Sequence, residues 1–168
     1  MAPDVAEAVF RTKRKRRVLL MVHESFVPPE QIAGMDEEEY FSMKTECDVV
    51  HGLRQLGHEV RVVGLRDELA PLRRALKEIK PHVVFNLLEE FKDQIVYDAH
   101  IVGYLELRGI KYTGCNPRGL VLARDKALSK KILHYHRIRT PRFHVFPKGR
   151  RFKKPARLAY PVIVKSLV

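Results

Sequence analysis

The stretch RVLLMV (residues 17–22) decides how the rest of the chain folds. Its five consecutive aliphatic side chains show no polar alternation, so it predicts a short strand covered on both faces, as in a parallel sheet between layers of helix. Working outward, DEEEYFSMKTECDVVHGLRQLG (36–57) reads as one helix. Asp36 stands at the N-cap with Glu39 in capping-box position, and Met43, Cys47, Val50, Leu53 and Leu56 recur at spacings of three and four; Gly57 supplies the stop. HEVRVVGL (58–65) is a second strand. Leu69, Leu72, Leu76 and Ile79 stripe the next helix, with Pro71 in its first turn and Pro81 closing it. HVVFNLL (82–88) is a third strand, a helix then runs to about Arg108, and Gly109 hands over to IKYTG (110–114) as a fourth.

Strands alternating with helices of this length predict an α/β fold, a doubly wound parallel sheet with helices on both faces. Ligands of such sheets bind beyond the carboxyl ends of the strands, which places the loops 23–35, 89–94 and 114–117 on one rim. The first of these holds no glycine before Gly34, so a G-x-G-x-x-G dinucleotide site is not expected.

The bulk composition sets the outer limits. At 168 residues, 45% hydrophobic and 31% charged, the chain can build one full core and the start of a second. Its apolar runs fall far short of the roughly 20 residues of a bilayer span. RTKRKRR (11–17) ahead of RVLLMV reads as a basic leader, covering residues 1–16, in front of a strand rather than as a secretion signal. Two cysteines, Cys47 and Cys115, are not spaced as a metal pair and fit a reducing, cytoplasmic setting. The formal charge of +12 points to a polyanionic partner: nucleotide, nucleic acid or phospholipid surface.

After Thr113 the pattern changes. Asn116 is a cap with Pro117 at the first helical position, a second start follows at Asp125, and that helix ends near His136. Thr140-Pro141 forces an extended chain; RFHVF (142–146) and YPVIVKSLV (160–168) read as two further strands, with a loop or short helix between. One helix and two strands cannot bury a sheet, so residues 124–168 are expected to open a second domain that this chain does not complete, and the apolar terminus reads as cut.

In combination, FNLLEEF, then YLELRGIKYTGCNPRGLVLARDKALSKKIL, then TPRFHVF and YPVIVKSLV, resemble the N-terminal half of D-alanine–D-alanine ligase-like enzymes of the ATP-grasp superfamily, over residues 17–168. The resemblance implies a pre-ATP-grasp domain at 17–123 and the first helix and two strands of the nucleotide-binding domain at 124–168. It also implies ATP and Mg²⁺ as cofactors of the complete enzyme, small amino-acid-like substrates, and dimerisation through the N-terminal domain. Lys126 of DKALSK and Lys165 of YPVIVK would face the ATP phosphates and adenine edge, offsetting the charge that accumulates as a carboxylate takes the γ-phosphate. Each has a plainer alternative, Lys126 as a solvated helix cation and Lys165 as a lysine snorkelling from an apolar strand. Glu38 falls where a glutamate would orient the first amino acid, or simply serves the first turn of its helix. Glu89-Glu90 replaces the family's His-Gly, and QIVYDA replaces its Gly-Glu-Asp-Gly run. Glu89 and Asp98 would therefore select a cationic amine, or else cap the helix that follows.

The glycine-rich loop, the metal-holding acids and the transition-state arginine are not in these 168 residues, so no catalytic residue and no metal ligand is expected here. Cys115 is read as packing rather than as a nucleophile, and His134 and His136, two apart on a helix, face different sides. Two other classes stay open: a basic polyanion-binding module, for which no aromatic RNA platform is present, and a non-catalytic scaffold pairing with a separate C-terminal half.

Overall fold

A computed structural model describes residues 14–30, 36–147, 149–151, 155 and 159–167. Three strands, β1 (Arg17–His23), β2 (Glu59–Leu65) and β3 (Val83–Asn86), form a parallel sheet in the order β2-β1-β3. The helices are α1 (Glu37–Ser42), α2 (Lys44–Gln55), α3 (Ala70–Ile79), α4 (Asp98–Leu107), α5 (Pro117–Arg124) and α6 (Lys126–Tyr135). The chain divides into two compact units after Pro117, at the start of α5.

In the first unit β1 is the central strand, and Val18, Leu19, Leu20, Met21 and Val22 are each no more than 2% exposed. Alternation along the pleat sends Leu19 and Met21 to one face, where they meet Leu72 and Leu76 of α3 and Ile101 and Leu105 of α4. Leu20 and Val22 go to the other face with Val50 of α2 and Val60 of β2. The sheet is therefore wound on both sides, as the apolar run of β1 requires. At about 1.5–3 kcal/mol per fully buried aliphatic side chain, β1 alone supplies a large part of the unit's hydrophobic free energy.

Helix ends follow from local chemistry. Gly57 and Gly109 take left-handed φ of 80° and 64° after α2 and α4. At the end of α3, Lys80 is left-handed, and the Arg17 guanidinium donates to the Ile79 carbonyl (3.0 Å) and the Lys80 carbonyl (2.9 Å). The start of β1 thus satisfies acceptors that the helix leaves unpaired.

Within the first unit, three features differ from the expectation. The helix of residues 36–57 is two helices, because the chain leaves helical geometry at Met43 (φ −123°, ψ 28°). Ser42 Oγ donates to the Glu39 carbonyl at 2.7 Å, a side-chain bond that competes with the helical ladder, and the Met43 N–H turns back to Tyr40. Asp36 occupies the N-cap of α1, but its side chain makes no capping bond. The fourth strand shrinks to a single bridge between Val84 and Tyr112: Thr113 Oγ1 takes the Asn86 N–H, and Gly114 at φ 95° turns the chain away.

In the second unit Asp125 caps α6, its carboxylate accepting the Leu128 N–H at 2.8 Å, and Ser129 Oγ donates to the Leu122 carbonyl. The Lys130 ammonium lies 5.3 Å from the centre of the Phe143 ring. The two strands expected here are not formed: residues 142–146 and 160–167 belong to no strand, and Val168 lies outside the described residues, as do most of 147–158. A strand is stable only where a neighbour satisfies its amides, and no such neighbour exists among the described residues of this unit. Ile163 and Val164 are 83% and 91% exposed as a result.

Leu20→Ala should cost about 2–5 kcal/mol in urea unfolding, whereas Leu107→Ala, at a site 87% exposed, should stay within about 0.5 kcal/mol of the parent.

Candidate functional site

The connections leaving β1 and β3 lie on opposite faces of the sheet, β1 leading to α2 and β3 to α4. The crevice between the carboxyl ends of these adjacent strands is the switch point at which doubly wound sheets bind ligands. The register sets its floor: Met21 pairs with Asn86, the last residue of β3, and β1 runs two residues further to His23. The Asn86 side chain accepts the Leu88 N–H (3.0 Å) and the Leu87 N–H donates to the Met21 carbonyl (2.9 Å), holding the loop after β3 against β1.

His23, the last residue of β1, is buried there. Its Nδ1 accepts the Ser25 N–H at 3.3 Å, and its Nε2 lies 3.7 Å from Glu90 Oε1. Phe26 packs near the ring, 5.9 Å between centroids. Gly64 of β2 makes room for this loop: a Cβ there would come within 2.6 Å of Val27 Cγ2 and 3.0 Å of Glu24 Cα. Beyond Glu90 the chain forms a tight turn in which Lys92 and Asp93 both take φ of 54° and Phe91 and Gln94 pair. Two consecutive left-handed residues are the geometry of a type I′ turn. Phe91 is buried, and the Lys92 N–H donates to the Arg66 carbonyl at 2.6 Å, tying the turn to the end of β2.

The residues singled out from sequence distribute unevenly. Glu89 is exposed in the rim loop; Asp98 is buried as the first residue of α4. Glu38 is exposed in the first turn of α1 between Glu37 and Glu39, where acids face the positive end of a helix. Lys126 is the exposed first residue of α6, and Lys165 is exposed in the non-strand segment; neither side chain makes a hydrogen bond or ion pair with another described residue. Cys115 is an exposed free thiol. His23, Glu90 and Asp93 sit in the loops expected at the rim, but sequence gave no reason to join them; the only signal was that they follow the ends of the first and third strands.

No model of a known protein family matches the chain. The D-alanine–D-alanine ligase of Moorella thermoacetica is 30% identical over 143 residues, covering 80% of this chain and 44% of that protein. That of Aquifex aeolicus is 36% identical over 115 residues, covering 68% and 38%. The chain is homologous to the N-terminal half of D-alanine–D-alanine ligase-like ATP-grasp enzymes. It spans less than half the length of these curated relatives. The crystal structure of the Bacillus anthracis D-alanine–D-alanine ligase complexed with ATP shares the fold, with a TM-score of 0.58 at 23% identity over 84% of this chain and 43% of that one. Another crystal structure of the same ligase gives 0.56 at 25% identity.

Within the ligase-like motif YLELRGIKYTG the Tyr112 hydroxyl donates to Glu106 Oε1 at 2.7 Å. That bond, with burial second, pushes the Tyr112 pKa up to about 12. Because the folded value lies above the unfolded value of about 10, the contribution is intact below that pH and is lost as pH rises through the folded value. Alkaline urea melts should therefore show a loss of stability in this window that Tyr112→Phe removes, and absorbance titration should lose its highest-pH tyrosine in the same variant.

Proposed function

We propose that the chain is the amino-terminal portion of an ATP-dependent carboxylate–amine ligase that joins amino acids or peptides through an acylphosphate, working in the reducing cytoplasm, and that these 168 residues alone do not turn over ATP. The observation that carries the ligase reading is the coverage of one ligase-type sequence and fold across both units, with relatives at 30–36% identity. Glu89, in the loop at the switch point, is the residue of this chain best placed to meet an amine substrate, and Glu38 remains the weaker candidate.

The inactivity follows from the charge inventory. Residues 118–168 contain fifteen of the 32 Lys+Arg and one of the 20 Asp+Glu. That single acid, Asp125, is committed as the N-cap of α6. Magnesium is bound through carboxylates together with substrate phosphates, so this unit does not fit Mg²⁺ without acids from elsewhere. For ATP it offers cations, among them Lys126 and Lys165, but no strand holds Lys165 in place. The acids and the neighbouring strands belong, in this reading, to a C-terminal half, whether in the same polypeptide or a separate one.

The same inventory favours a second reading. A unit with a formal charge of +14 beside a first unit of −2 is the composition of a polyanion binder.

Phosphate release from Mg-ATP with a panel of amino acids separates these readings. The chain alone should give none, and adding the C-terminal portion of a D-alanine–D-alanine ligase should produce amino-acid-dependent release. Turnover by the chain alone would contradict the proposed inactivity. No release in either case, with nucleic-acid binding that weakens steeply with salt, would favour the second reading.

A further inference from the structure

Among the described residues, His23, Glu90 and Asp93 form the one group whose side-chain ligand atoms all lie within 4.8 Å of one another. An acidic pair on a surface would carry no meaning alone. Here, however, His23 is only 9% exposed, and its Nε2 is buried, has no hydrogen-bond partner and lies 3.7 Å from Glu90 Oε1. A buried polar nitrogen facing two carboxylates costs free energy unless something satisfies it.

We propose that this group is a binding site for a divalent transition-metal ion of the zinc type, held by His23 Nε2 and one oxygen each from Glu90 and Asp93, with solvent completing the shell. One imidazole and two carboxylates suit zinc and its first-row neighbours, whereas magnesium prefers oxygen alone and keeps its own waters. Bonds of about 2.0–2.2 Å to three such ligands bring the ligand atoms to roughly 3.3–3.6 Å apart. The His23–Glu90 separation is already close to that. Asp93 has to close the remainder, and it is exposed on the turn of Lys92 and Asp93.

The metal-free ring is in the wrong tautomer, and that makes the site testable. Nδ1 accepts the Ser25 N–H, so in the neutral ring the proton sits on Nε2. Metal binding takes the proton off Nε2 to solvent while Nδ1 gains one from solvent, so the ring stays neutral and gives up its bond to Ser25, which at 3.3 Å is a long one. Zinc should therefore convert His23 from the Nε2–H to the Nδ1–H form. The site does not depend on the ligase reading and would survive its failure.

The test is equilibrium dialysis of the full 168-residue chain against zinc, with ¹⁵N spectra of the histidine rings. His23→Gln removes a buried side chain that caps a turn, so Glu90→Gln and Asp93→Asn are the informative variants, with circular dichroism and thermal melting confirming that they fold. One site is expected, loosened at least about tenfold by either substitution, not displaced by excess Mg²⁺, and accompanied by the tautomer change at His23. Zinc binding of equal affinity in both variants, a His23 ring unchanged by zinc, equal competition by Mg²⁺, or no binding at all would each overturn the proposal.

Discussion

Burial of β1 on both faces is the constraint from which the rest of the first unit follows. Alternate side chains of one strand must be covered by α3 and α4 on one side and α2 on the other, so the connections from β1 and β3 diverge. That divergence opens the crevice at the carboxyl ends. The geometry that stabilises the core thus also creates the place where a ligand can sit, and the parallel pairing of β1 with β3 brings His23 and Glu90 together across a long separation in sequence.

The second unit is governed by a different balance. It carries all of the excess positive charge and a single acid, and its most apolar stretch is exposed. Helices α5 and α6 form because their signals are local: a proline at the first position, an aspartate cap, and a serine bond between them. Strands have no such local route, since their amides need partners from other segments. The division between formed helices and unformed strands among the described residues follows from that difference.

The parts of the fold legible in the sequence were those set by nearest neighbours or by continuous hydrophobicity. The run in β1, the glycine stops at Gly57 and Gly109, and the Asp125 cap all belong to this class. The break at Met43 was not legible, because it turns on one hydroxyl of Ser42 reaching the Glu39 carbonyl. The strands at 142–146 and 160–168 were read from β-branched composition, a preference that packing must complete before it becomes structure. Lys126 and Lys165 were found through motif resemblance, and both are exposed side chains without a partner among the described residues. His23, Glu90 and Asp93 were invisible as a group, since only the register of β1 against β3 and the left-handed turn after Phe91 bring them near one another.

The proposed function requires that the second unit gain strands from a further polypeptide while the first keeps its fold without one. Amide hydrogen exchange on the chain, alone and with the C-terminal portion of a D-alanine–D-alanine ligase, tests it directly. It predicts strong protection across Val18–Val22 in both samples, and protection at residues 142–146 and 162–167 only when the second polypeptide is present. Protection of residues 162–167 in the chain alone, or none gained on addition, would contradict it.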